Sequence, residues 1–256
     1  MRDLCRAREE AIGALKTATF RLKACLLRQA IRYTGRATWG PAHLRWLSEV
    51  GCPTPAPHIV VQASVRAVPE PTERLARLAQ ARTDQVQTGR LRSVGDALQA
   101  LRGVQFTVAV TAGAELGALT RCDNPRQLMR YLGLTPADYS PGARRRQGGS
   151  TQAGNSHARR ALSEGAWASR DPATVSRHLQ LRLEKVSKPI QDLSWKAQVR
   201  LCQRSRQLSA RGKNAHQVVV AIARALSACR WAMAQEGPLT PETQTVASPA
   251  SVLTPL

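Results

Sequence analysis

The chain has 256 residues, room for one sizeable domain or two small ones, and carries 38 Lys+Arg against 17 Asp+Glu, a formal charge of +21. That excess runs along the whole length rather than in one tail, concentrates polyanions, and points to nucleic acid as partner. Six scattered cysteines without a C-x-x-C pair argue against a zinc or disulfide framework; the absence of an apolar secretory start and of an apolar run of about 18 residues predicts a cytoplasmic protein with no membrane partner.

In chain order, Leu4, Ala7, Ala11, Leu15, Ala18, Leu22, Cys25 and Leu26 recur at three and four, which predicts a helix over 2–31 with basic residues on much of the remainder. A turn at Tyr33 to Arg36 follows. Pro41 then opens a short helix that should set Trp39, Leu44 and Leu47 on one packing surface. The proline-rich run 52–57 reads as a break. Residues 59–91 read as a long helix that Pro69 and Pro71 kink or split. Core-facing helices are expected over 179–183 and 190–201, a turn at 212–214, and an apolar helix over 218–234. The expected organisation is mainly α: a helical linker over 1–92, a compact helical nucleic-acid-binding domain over 93–236, and a flexible tail over 237–256.

Chemistry concentrates in residues 98–167. The turn from Leu101 to Val110 approximates a helix–hairpin–helix, with Gly103 where the first glycine belongs, Gln105 in place of the second, and Thr107 in the opening turn of the second helix. An ordinary helix–turn–helix corner fits the turn equally well. Asn124 and Pro125 form an N-cap and first-turn pair for a helix over 126–132. A turn-rich loop, 133–142, leads into Arg144, Arg145 and Arg146 followed by Gly148 and Gly149, a flexible cationic run suited to a phosphodiester backbone. Asn155, Arg159 and Arg160 then lead into an amphipathic helix through Leu162, Ala166 and Trp167. No His–Asp pair is placed in the loop to activate Ser140 or Ser150 as in a hydrolase triad.

Together these residues resemble the C-terminal domain of insertion-sequence transposases of the IS-one-ten type. The resemblance rests on Asn124 to Met129, Leu132-Gly133-Leu134-Thr135-Pro136, Gly142 with Arg144 to Gly148, and Ala153-Gly154-Asn155 through Trp167. It extends upstream to Arg2 and downstream past Gly212. It implies DNA transposition and recombination. It also implies a serine in this domain that attacks DNA and becomes linked to phosphate, and a resolvase-like domain whose Asp and Glu residues hold magnesium. A structured guide RNA and homo-oligomeric assembly are further partners it implies.

The chain departs from that pattern. The family's serine stands immediately before the glycine, and here that position is Pro141, with Ser140 one residue early. The metal-binding domain would precede Arg2; Asp3, Glu9, Glu10 and Glu49 fall in the helical linker and are not metal ligands, so no metal site is expected in this chain. Gln152 replaces a usual lysine and Cys122 a usual phenylalanine, and Ala118, Pro69 and Pro71 sit where the family prefers an acidic residue or helix formers. The expectation is a truncated, inactive copy that keeps its nucleic-acid surface, with Gly103, Thr107, Gly142, Arg144, Arg145, Arg146, Asn155, Arg159 and Arg160 as binding residues. Two other readings stay open: an active recombinase that uses Ser140 with metal supplied by a partner subunit, and a basic binding module without a transposition role.

Overall fold

A computed structural model describes residues 1–36, 38–89, 91–139 and 146–235. The protein is mainly α, with one two-stranded ribbon, and divides into two compact units, Met1–Gly89 and Arg90–Leu256.

The first unit holds α1 (Arg2–Arg28), α2 (Pro41–Glu49), α3 (Pro55–Arg66) and α4 (Pro69–Thr88). Proline opens three of the four, because the first helical position lacks an amide partner and the fixed φ suits it. The same rule explains two details of the reading above. Pro55 starts α3 inside the expected break, and Pro69 starts α4, so the long helix is split at Ala67–Val68 rather than kinked. α1 and α4 run antiparallel: Cys5 and Arg8 neighbour Arg82, whereas Lys16 and Thr19 lie in one groove with Thr72 and Glu73. Leu22, Cys25 and Leu26 of α1 meet Leu47, Val61 and Val68 in the unit's core. In α2 the inward residues are His43 and Leu47, four apart; Leu44, expected beside Leu47, is half exposed at 50%. His43 instead stacks on Trp46 and meets Tyr33 and Trp39 edge-on, with ring centroids 4.6–5.6 Å away.

The second unit holds α5 (Leu91–Gln99), α6 (Phe106–Leu116), α7 (Pro125–Tyr131), strands β1 (Pro136–Tyr139) and β2 (Arg146–Ser150), α8 (Ser156–Ala166), α9 (Arg177–Leu183), α10 (Lys188–Ala210) and α11 (Ala215–Gln235). α11 is the centre of this unit and packs against α5, α7, α8 and α10. Its Val218, Val219, Ile222, Ala223, Leu226 and Met233 are buried at helical spacing. By length and composition α11 is apolar enough to cross a membrane, a feature missed by a search for an unbroken apolar run; its apolar stripe is packed in the helical core. The helix over 126–132 forms as α7, with the Asn124 side chain accepting from the amides of Arg126 and Gln127.

The stretch expected to be only loop contains the ribbon. β1 and β2 pair antiparallel, Pro136 opposite Ser150, Asp138 opposite Gln147 and Tyr139 opposite Arg146. Between the first two pairs β2 has one more residue than β1, at Gly148–Gly149, a bulge that glycines tolerate. Short glycine-rich strands carry too little alternation to show in the sequence.

Candidate nucleic-acid interface

The motif segments of the 98–167 block lie together in the second unit, and most of them interlock. Gly133 (φ +63°) follows α7 and Gly154 (φ +97°) precedes α8. A Cβ on Gly133 would sit 2.0 Å from the Ala153 carbonyl oxygen, and one on Gly154 would sit 2.1 Å from that of Tyr131. The two segments therefore touch backbone to backbone, which only glycine permits. The Gln152 amide donates to the Gly133 carbonyl (3.0 Å), and the Thr151 amide to that of Thr135 (2.9 Å).

Asn155 and Arg159 tie this clasp to its neighbours. The Asn155 side chain caps α8 by accepting from the Ala158 amide (3.0 Å), and its Nδ2 donates to Glu115 Oε2 (2.7 Å), a carboxylate fully buried at the end of α6. Arg159 Nη1 donates to the Leu132 carbonyl (3.0 Å). Arg160 is exposed and pairs with Glu164 at 3.1 Å. Of the expected binding residues, Asn155 and Arg159 thus hydrogen-bond within the protein, and Arg160 lies on the surface.

The α5–α6 corner is held from several sides. Gly103 (φ +81°) is pressed against α8, where a Cβ would meet the Gly165 carbonyl oxygen at 2.2 Å, so close packing accounts for the glycine. Ser194 Oγ donates to the Ala100 carbonyl, Arg182 Nη1 donates to that of Val104 (3.2 Å), and Arg102 donates to that of Pro172. Burial pushes the Arg182 guanidinium below its ordinary value. Thr107 stands half-buried in the first turn of α6, whose N-cap is Gln105.

Ser140, Pro141, Gly142, Arg144 and Arg145 lie outside the described residues, and of Arg146 only the backbone is described. The strands on either side are defined, and Tyr139 faces Arg146 in the ladder. The two ends of the 140–145 segment are therefore held together at the end of the ribbon. On the side of the ribbon that carries Gly148 and Gly149, an open groove of about 700 Å³ runs along α10 and α11, with Arg204, Lys213 and Arg224 on its far wall. These three cations went unnoticed in the sequence, because twenty residues and a helix–helix turn separate them.

Among the described residues no group of three or more His, Cys, Asp or Glu side chains is placed to hold a metal ion. Asp3, Glu9 and Glu10 are spread over the first turns of α1, and Glu49 ends α2. The six cysteines are free, and burial raises the thiols of Cys202 and Cys229 above their ordinary value, so both stay protonated. Arg230, wholly buried in α11, donates to the Ala112 carbonyl (2.7 Å); desolvation pushes its guanidinium down to about 9, still charged at neutral pH.

The motif segments of the second unit are joined backbone to backbone, and comparison with known sequences gives the class of protein to which they belong. Residues 95–179 match the sequence model of the Transposase IS116/IS110/IS902 family. Over 236 residues the chain is 41% identical to a protein of Sinorhizobium fredii that carries the provisional name transposase y4qE; the match covers 92% of this chain and 57% of that protein. Over residues 95–179 the chain carries the domain of the IS116/IS110/IS902 transposases, and it spans a little over half the length of this relative.

Proposed function

We propose that this chain handles DNA in insertion-sequence transposition, its second unit holding the phosphodiester backbone beside residues 140–145 without supplying the nucleophile of strand cleavage. The observation that carries the reading is the Tyr139–Arg146 pair. It closes the ends of the segment that contains Pro141, at the family's nucleophile position, and Arg144 and Arg145. Proline offers no hydroxyl, and a nucleophile displaced along the chain loses the alignment on which phosphoryl transfer depends; a misplacement of about 1 Å can cost on the order of a hundredfold. Gly142, Arg144, Arg145, Arg146 and Arg160 are the proposed phosphate contacts. A structured RNA, self-association and magnesium held by carboxylates other than the described ones belong to the same proposal, through the family.

The test is incubation of the protein with element-end DNA and magnesium, with and without the neighbouring transcript, followed by a denaturing gel. The expected result is DNA binding without a covalent protein–DNA adduct. An adduct that Ser140→Ala abolishes would overturn the assignment and leave Ser140 as the nucleophile. An adduct gained by Pro141→Ser would support position 141 as the lost nucleophile.

A further inference from the structure

The groove between β2 and the α10–α11 turn has a one-sided chemistry. Among the described residues its walls carry Arg204, Lys213 and Arg224 and no carboxylate, together with Gln217, Leu208, Val218 and Val220. Arg204, Lys213 and Gln217 are exposed, and Arg224 is half-buried with its Nε directed to Met129 Sδ (3.4 Å). Among the described residues none of the three cations takes part in an ion pair, whereas other cations of the chain do (Arg160 with Glu164, Lys188 with Asp192).

The opposite wall is backbone. Gly148 and Gly149 are exposed, and a Cβ at Gly149 would meet nothing within 4 Å. Crowding within the fold therefore does not account for the glycine at 149, and without side chains the exposed stretch lets a ligand come close to the backbone. α11, of 21 residues, starts at this groove, and its first turn adds the partial positive charge of a helix N-terminus to that of Lys213.

We propose that this groove is a second nucleic-acid contact, which binds one phosphodiester backbone independently of sequence. The inference rests on the DNA-handling reading above and extends it. Arg204 and Arg224 reach phosphates from α10 and α11, Lys213 from the turn, and the Gly148–Gly149 peptides approach from the ribbon. The groove is lined on the ribbon side by Gly148, Gly149 and Ser150 of β2. Among the described residues no aromatic side chain lines it, so these residues offer phosphate contacts and no stacking platform for bases. Of its three cations, all lie beyond the residues matched by the family model.

The experiment is equilibrium binding of the full chain to a duplex DNA, a single-stranded DNA and an RNA hairpin over a range of salt. A variant with Arg204→Gln, Lys213→Gln and Arg224→Gln is compared with one that removes three exposed arginines of the first unit, Arg28→Gln, Arg66→Gln and Arg74→Gln. The groove variant is expected to lose on the order of tenfold in affinity per cation at about 0.1 M salt, with a salt slope shallower by about 2.7 on duplex or about 2.1 on a single strand. The polymer that shows this loss identifies the occupant. Equal losses in the two variants, or no loss in the groove variant, would overturn the groove as a site. Failure of the unaltered chain to bind any of the three would instead overturn the DNA-handling reading itself.

If the triple variant does not fold, Gln217 decides. Gln217→Glu adds an acid to the first turn of α11, where the helix tolerates it, and should weaken binding; Gln217→Lys should strengthen it and steepen the slope by about 0.9. Identical binding by these two variants would overturn the proposal.

Discussion

Asn155 joins the first turn of α8 to Glu115, forty residues earlier at the end of α6, through a 2.7 Å hydrogen bond to a carboxylate with no exposed surface. The same side chain caps α8 through its oxygen. Asn suits both jobs because it offers an acceptor and a donor at once.

Replacing Asn155 by Asp keeps the cap and loses the donor, and sets a second carboxylate against Glu115. Asn155→Asp should therefore destabilise the second unit by about 2 kcal/mol or more, although Asp is as good a helix cap as Asn. Adding Glu115→Gln should recover part of the loss, because the amide can donate to the new carboxylate. Urea unfolding of the two single variants and the double variant measures the coupling. Additive effects would mean that the two side chains do not depend on one another.

The glycines of the clasp should respond to substitution far more strongly than a glycine needed for its φ alone. Gly212 (φ +71°) has open space where a Cβ would stand, so Gly212→Ala should cost only the left-handed strain, about 1–2 kcal/mol. At Gly133 and Gly154 the added carbon collides with backbone, which cannot swing away. Gly133→Ala and Gly154→Ala should abolish the cooperative thermal unfolding of the second unit, as followed by circular dichroism.

The first unit should lose stability in acid. Burial, and then the nearby Lys23, hold the His43 imidazole below its ordinary value of 6.5, and its Nδ1 accepts the Trp39 amide (3.1 Å). As pH falls, the unfolded chain takes up this proton first. The stability that His43 contributes is thus full above about pH 6.5 and is lost as pH falls through the lower folded value. Urea unfolding followed by tryptophan fluorescence at about pH 5 and pH 8 checks the sign. His43→Gln should flatten the dependence.

How much of this was legible in the sequence follows from which physical signals are local. The helices were readable because their apolar spacing and caps are local: Asn124–Pro125 starting α7, Pro41 starting α2, the stripe of α1. The ribbon was not, since Pro136 to Tyr139 and Arg146 to Ser150 have no two-residue alternation and their pairing is set by the clasp behind them. The motif residues were visible while their work was not. Asn155 and Arg159 look like phosphate ligands from charge and position, yet both bond to the protein, because what they meet comes from α6 and α7. Arg204, Lys213 and Arg224 give the opposite case: unremarkable along the chain, and gathered on one wall only when α10 and α11 fold together.

A grip on nucleic acid through its phosphates shows most directly in a salt titration of binding. With several phosphates engaged, affinity for duplex DNA of any sequence should fall on the order of a hundredfold or more between about 50 and 200 mM salt. Replacing Arg144, Arg145 and Arg146 by alanine should weaken binding to every sequence alike and make the fall shallower. Affinity that is indifferent to salt, or unchanged by that substitution, would contradict the claim.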